Sequence, residues 1–583
     1  MGANVLIQVT KRWRDVVKGQ LFHLIAAPLF FVYAFVTHVL TGYFNWSEIW
    51  FLQVVHRVIT GEVLYREVFF SSTPLSVYTF MAFALLFGAE LLVGKALTAF
   101  CFALTCVLAY RIAQLLGLDR TGAVLVLGAL LVWRQGNSFS YTPLVYFFLL
   151  VALYATLLWQ RGMRMGTLAP KNAATMGLII AGVSAGLGIA SKQSVGVYTF
   201  VAVCLSIAVS YYRSGTDKRQ VWRAYALVCS ACFCAVAVVL LPVWLSGGVP
   251  RLIDYGVLGM RSYMRASIIP YQDHLALLVR LIADAKPWRH ATQISWQLAF
   301  LLPFPTFAAL GLLWLRSDWE RRRLIAILLL FIGAAFAGMF PRVDIGHMTP
   351  AVPVFVLGLV WACDQIIGQC RGRWLKVARS AFVLGWTTVI VCSLIAHILW
   401  LIPRPGAARR ELCTLPHFRG MLMYADYIEE VRSQAERLKQ YTDGQPTFIL
   451  NPSAAFYYLL TGMKNPTPYD FPLAGAFGLN GQAEVIEDIR RGRIRYVCLS
   501  PLGSDPLAPV QLERYVLEHM EPVCDVGFCT LYRSPLPHGS DQWPFGGEHD
   551  TAYFSSPASS IHMVSSNDSC TTSSWWSRGA CGG

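Results

Sequence analysis

Between residues 21 and 402 the chain is a succession of apolar runs, most of them near the ~20 residues a helix needs to cross a bilayer. Lipid offers no water to a bare backbone group, so runs of this kind are restricted to helices. They cover 21–40, 74–93, 95–116, 141–160, 176–191, 195–212, 224–246, 294–315, 324–340, 349–369 and 380–402, which predicts eleven spans. Composition agrees: 55% of the 583 residues are hydrophobic and only 14% are charged, which excludes an ordinary soluble protein. A net charge of +15 would suggest nucleic acid in a soluble chain. Here the basic residues stand in short clusters between apolar runs, a pattern of membrane topology, and no nucleic-acid partner is expected.

Lys11, Arg12, Arg14 and Lys18 precede the first run, and no small-residue cleavage site follows it. That reads as an uncleaved signal anchor with a cytoplasmic N-terminus. One apolar segment, Thr121 to Trp133, is too short for a lipid-exposed span and is expected to be re-entrant. With that assumption four basic loops, 161–171, 213–223, 316–323 and 371–379, all fall in the cytoplasm, as the positive-inside rule asks. The segments 42–73, 134–140, 247–290, 341–348, the turn Ser191-Lys192-Gln193 and everything after Pro403 then fall outside. The expected location is a bacterial inner (plasma) membrane.

After residue 406 the pattern changes. A charged helical stretch over Tyr424–Tyr441 is followed by the strand-like PTFILN, the helical AAFYYLLTG, a second charged helix over Glu484–Arg491 and the strand-like RYVCLS. This alternation predicts a small α/β domain with a parallel sheet. The expected organisation is therefore an N-terminus (1–20), a polytopic α-helical membrane domain (21–405), an extracytoplasmic α/β domain (406–536) and a disordered Ser- and Gly-rich tail (537–583). Most of the fifteen cysteines lie in apolar runs, where a thiol acts as a small hydrophobe. Cys524 and Cys529 form the pair to watch for a disulfide in an oxidising compartment.

The first outer segment, GYFNWSEIWFLQVVHRVITGEVLYREVFFSSTPLSVY, holds the most chemistry. Ile49, Leu52, Val55 and Ile59 recur at helical spacing, so a helix lies along the membrane surface with Ser47 as cap, Glu48 in its first turn and Gly61 at its end. Glu48 is open to two readings, a helix-start carboxylate favoured by the dipole or a reactive acid. Arg66 and Glu67 read either as a solvated pair or as part of a site. Lys192 either snorkels from a helix end or binds an anion. His347 either makes a structural hydrogen bond or positions a phosphate, and Asp344 has Arg342 as a ready partner. Arg134 and Asn137 flank the short segment, and Tyr255, Arg261, Tyr263, Arg265 and Tyr271 lie in a loop that suits an aromatic belt or an acceptor cradle.

An acid just after the first run, then Gly-Glu-x-Leu-Tyr-Arg-Glu and Thr-Pro-Leu-x-x-Tyr, resembles the opening of the GT-C glycosyltransferases, nearest to the family 39 and aminoarabinose-transferase-like bacterial branch. Leu-Phe-Gly at 86–88, Ala190-Ser191-Lys192-Gln193 and Pro341-Arg342-Val343-Asp344-Ile345-Gly346-His347 agree in order with it. The resemblance implies transfer of a sugar from a polyprenyl-phosphate donor to an acceptor hydroxyl of unassigned class, with inversion. Glu48, with Glu67 second, is the expected general base, because a hydroxyl is a poor nucleophile. Lys192, Arg342, Arg66 and His347 are the expected phosphate-binding residues, set against the charge that grows on the leaving group. The family commonly has Asp-Glu where this chain has Ser47-Glu48. No cofactor is named, and a divalent metal, which would want a second carboxylate, is not supported. The competing classes are a multi-span transporter, whose charges would sit near the bilayer midplane, and a ligase or polymerase of lipid-linked glycans.

Overall fold

The structure is a computed structural model and describes residues 25–39, 46–133, 139–165, 171–212, 217–259, 264, 267–284, 286, 290–370, 372–401, 409–503 and 505–535. The basic N-terminal residues, Arg134, Asn137, Arg261, Tyr263, Arg265 and the 537–583 tail lie outside them.

The membrane part is built from α1 (Ile25–Val39), α2 (Trp46–Ile59), α3 (Leu75–Phe87), α4 (Leu91–Leu115), α5 (Arg120–Val132), α6 (Tyr141–Met165), α7 (Lys171–Ser191), α8 (Gln193–Tyr211) and α9 (Lys218–Leu245). It continues through α10 (Val249–Ile253), α11 (Tyr271–Ala283), α12 (Ala291–Leu298), α13 (Pro303–Leu315), α14 (Trp319–Ala337), α15 (Ile345–Met348), α16 (Val352–Ile367) and α17 (Arg373–Leu401). Seven helices are long and apolar enough to cross a membrane by length and composition, and shorter apolar helices stand at α1, α3, α5 and α16. Among the described residues the runs expected to span are largely helical, the run over 74–93 being interrupted at 88–90. Asp119, Asp217 and Asp318 cap α5, α9 and α14 by accepting the backbone N–H of Gly122, Arg219 and Arg321. Each satisfies a donor that the first helical turn leaves without an internal partner.

The segment that stays on one face is not the one the sequence suggested. Before α3, the Phe69 N–H donates to Pro468 O of the C-terminal domain. After α3, His417 of that domain accepts the Leu91 N–H and donates to Ala89 O at 2.7 Å. Both ends of α3 therefore lie against the C-terminal domain. By contrast α5 begins where Asp119 meets Arg379 at the start of α17 and ends where the Trp133 indole donates to Ser295 O at 2.7 Å. Between those points Trp386 of α17 bonds Leu125 O, and further along α17 Ala396 O accepts from Thr292. So α5 runs beside α17 toward the domain, and the expectation of a re-entrant 121–133 is corrected to a one-sided 75–87.

The physical reason is burial. The ~20-residue requirement holds for helices facing lipid, and a 13-residue helix packed by α4, α16 and α17 can be shorter because protein covers its ends. The apolar run over 74–93 is in fact broken at Gly88, whose φ of +92° closes α3. One segment still fails to cross, so the loops after residue 133 keep their expected relative sides.

The C-terminal domain starts with an antiparallel pair, β1 (Arg410–Leu412) and β2 (Leu422–Tyr424), and continues through α18 (Ala425–Thr442). Then come β3 (Thr447–Leu450), α19 (Ala454–Thr461), α20 (Gly481–Arg490), β4 (Tyr496–Leu499), α21 (Val510–His519), β5 (Glu521–Asp525) and β6 (Thr530–Arg533). The sheet order is β3-β4-β6-β5. Only β3 and β4 are parallel; β6 pairs antiparallel with both β4 and β5, so the sheet is mixed rather than parallel. Phe448, Ile449, Val497, Leu499 and Leu531 are buried at its centre. A disulfide joins Cys498 to Cys529, while Cys524, the alternative partner raised from sequence, is a free thiol. Strand pairing explains the choice: β4 and β6 bring Cys498 beside Leu531, two residues from Cys529.

Candidate functional site

Lys192 is the single non-helical residue between α7 and α8. Its N–H donates to Gly188 O and its carbonyl accepts from Gly196 N, so a glycine stands four residues to either side of it. The two glycines touch: a Cβ on Gly196 would fall 2.1 Å from Ile189 N, and one on Gly188 would fall 3.3 Å from Gly196 Cα. Only residues without a side chain let the two helices fold back so tightly. The break is held from a second element. Ser72 donates its hydroxyl to Ser191 O at 2.9 Å and approaches Gln193 Oε1, Thr73 bonds Ile189 O, and Gln193 donates to Gly256 O.

Lys192 is thereby aimed at the turn before α15. There Asp344 takes Arg342 Nε on one oxygen at 2.7 Å and His347 Nδ1 on the other at 2.8 Å, and that second oxygen also accepts the His347 backbone N–H. Burial alone would raise the Asp344 carboxyl, but His347 and Arg342 outweigh it and hold the group ionised well below the usual carboxylate range. His347 is pushed below its ordinary value by burial and by Lys192, with Asp344 opposing. Desolvation lowers Lys192 to about 8, again with Asp344 opposing. The Tyr141 ring lies under the ammonium at 5.5 Å. Of the residues expected at a phosphate, Arg342 and His347 are thus joined on one carboxylate, and Lys192 stands close enough to feel its charge. The cluster carries two cations and one anion, a half-buried excess of positive charge suited to an anionic ligand.

The other expected residues stand elsewhere. Glu48 points into the protein and pairs with Lys95 of α4 at 2.7 Å, with side chains 3% and 0% exposed. Glu67 accepts the Val63 N–H at 2.7 Å and pairs with Arg66 at 3.2 Å in an exposed turn. Those two contacts, the backbone one first, lower its carboxyl. Phe51 of α2 packs on Phe70, and Phe70 packs on Tyr141, the ring that also lies under Lys192.

Residues with no expected role tie the C-terminal domain to this face. Arg57 of α2 donates to Asp470 Oδ2 at 2.8 Å, to Thr467 O, to Glu62 and to Glu67 O. Burial would lower its pKa, but Asp470 and Glu62 raise it further, so the guanidinium stays charged inside the interface. Trp50 stacks on Phe471 at 5.6 Å, and Tyr255 packs between Phe69 and Tyr469. Tyr255 is therefore part of a domain interface, while Tyr271 packs on Phe300 and Phe304. In the sequence Arg57 and Lys95 were visible only as charges inside otherwise apolar helices.

No protein-family model matches the chain, and no curated protein matches it. Solved structures do. The crystal structure of ArnT from Cupriavidus metallidurans bound to undecaprenyl phosphate superposes with a TM-score of 0.53 at 12% identity, over 88% of this chain and 97% of that one. The same protein in the apo state gives 0.50 at 11% identity, over 86% and 97%. The match runs through both the helical part and the C-terminal domain. This chain shares the fold of ArnT and carries seven helices long and apolar enough to cross a membrane.

Proposed function

We propose that the protein is a membrane glycosyltransferase that moves a sugar from a polyprenyl-phosphate carrier to an acceptor hydroxyl by a single inverting displacement. The observation that carries this reading is the pair of cations Lys192 and Arg342 near one carboxylate, on the face capped by the C-terminal domain, in a fold whose solved neighbour holds undecaprenyl phosphate. Cleaving the sugar–phosphate bond leaves an added negative charge on phosphate. Fixed cations in a partly dehydrated site stabilise that charge more than water does. Lys192 and Arg342 supply them. The Cys498–Cys529 disulfide favours placing the C-terminal domain, and this face, in an oxidising compartment outside the plasma membrane. The basic loops of the opposite face favour the same orientation.

The carboxylates expected as base are both engaged. Glu48 is paired with Lys95 in the protein interior, and Glu67 with the Val63 N–H and Arg66 in an exposed turn. The test uses the purified full chain with a panel of radiolabelled polyprenyl-phosphate sugars. Label should move to an acceptor with the wild type, and Lys192→Met should cut the rate at least ~100-fold, as loss of a charge-stabilising group does. Wild-type protein inert toward the whole panel would contradict the proposal.

A further inference from the structure

The reaction needs a group that takes a proton from the acceptor hydroxyl, and the cluster at Lys192 contains one with the right orientation. A carboxylate can only accept hydrogen bonds, and Asp344 faces Nδ1 of His347 at 2.8 Å, so Nδ1 carries the hydrogen. In the neutral ring the lone pair is then on Nε2. Among the described residues nothing is hydrogen-bonded to Nε2, and the side chain keeps 23% of its surface open. Asp344 itself is a poor proton acceptor, because His347 and Arg342 hold its carboxyl ionised well below the usual carboxylate range against the effect of burial. A nucleophile's base that is oriented by a third group is a recurring catalytic arrangement.

Resting on the glycosyl-transfer reading, we propose that His347 is the general base, with Asp344 as its positioning residue and the Glu48–Lys95 pair holding α2 in place. The acceptor O–H gives its proton to His347 Nε2 as its oxygen bonds to the anomeric carbon. The anomeric carbon–oxygen bond to phosphate breaks, and its electron pair leaves on the phosphate oxygen. One proton is gained by the imidazole and one negative charge by the phosphate, so the step balances within the cluster. Asp344 faces the new imidazolium on one side, and Lys192 and Arg342 face the new phosphate charge. The surroundings of His347 also keep it neutral beforehand: burial first, then Lys192 at the α7–α8 break and, more weakly, Arg342 disfavour a further cation, with Asp344 opposing them.

Two measurements on the full chain in lipid nanodiscs separate this inference from the reading beneath it. One is binding of undecaprenyl phosphate, and the other is transfer from the labelled donor panel. His347→Ala and His347→Gln should bind the carrier within about threefold of wild type and lose transfer ~100-fold or more, the usual span for a general base. A series of added imidazoles should restore part of the His347→Ala rate in step with their basicity, a dependence that refilling a structural cavity would not produce. Whichever variant still binds the carrier decides the outcome. Transfer within tenfold of wild type in that variant, or loss of carrier binding in both, overturns the base assignment and leaves glycosyl transfer standing. A wild type that transfers nothing overturns both.

Discussion

Lys95 Nζ lies 2.7 Å from a carboxylate oxygen of Glu48, and both side chains are closed off from solvent. Removing one member of a buried ion pair leaves a charge without its partner and typically costs ~3–5 kcal/mol, whereas replacing both is near neutral. Lys95→Met and Glu48→Gln should therefore each lower the thermal midpoint of the solubilised protein, and the double variant should recover most of it. The same double variant should retain transfer activity. If it is stable yet inactive, Glu48 has a chemical role beyond holding α2 on α4.

Gly196 is the most space-limited position at the Lys192 break. Because an added methyl would meet the backbone of Ile189 and Gly188 at 2.1–2.4 Å, Gly196→Ala must separate α7 from α8. The expected loss is about 3 kcal/mol or more, the upper range for overpacking. Gly311, inside α13 with nothing near its missing Cβ, is the control. Gly311→Ala should be neutral or stabilising by up to ~1 kcal/mol. Differential scanning of both variants checks the contrast.

The rate of transfer should be bell-shaped in pH. His347 acts when neutral, and its pKa is lowered, so the rate rises with pH through a limb below 6.5. Lys192 acts when charged, so the rate falls as pH passes about 8. Lys192→Arg keeps its charge across this range, so the alkaline limb should disappear while the acid limb stays. An unchanged alkaline limb in that variant would assign it to another group.

The corrected path of the chain is open to thiol labelling. Thr121 at the start of α5 and Asp318 before α14 are both exposed, as is Glu436 on α18. A cysteine at Thr121 should react with an impermeant maleimide from the same side of sealed vesicles as one at Asp318, and from the side opposite to one at Glu436. Labelling of Thr121→Cys together with Glu436→Cys would restore the re-entrant reading of residues 121–133.

Much of the architecture was legible because hydrophobic length is a coarse and robust signal. Apart from the break at Gly88, the described parts of the apolar runs are largely helix, and the charged helix before PTFILN is α18 leading into β3. Charge pattern also identified the face that gathers Lys192, Arg342 and His347. What failed was choice between two short apolar segments. Length cannot distinguish α5, a short helix sheltered by neighbours, from α3, which ends in the exposed Leu85, Leu86 and Phe87. Gly88 and Glu90 were the available break signals. The antiparallel β5–β6 hairpin was missed because Glu521–Asp525 is an exposed edge strand without alternation. The buried partners Lys95 for Glu48 and Asp470 for Arg57 were missed because both pairs join residues far apart in the chain.

The most direct measurement is transfer of radiolabel from polyprenyl-phosphate sugars by the wild type and by Lys192→Met, at matched carrier concentration and pH 7. The account predicts turnover in the wild type and a loss of at least ~100-fold in the variant. Equal rates in the two proteins, or no turnover by either across the panel, would contradict it.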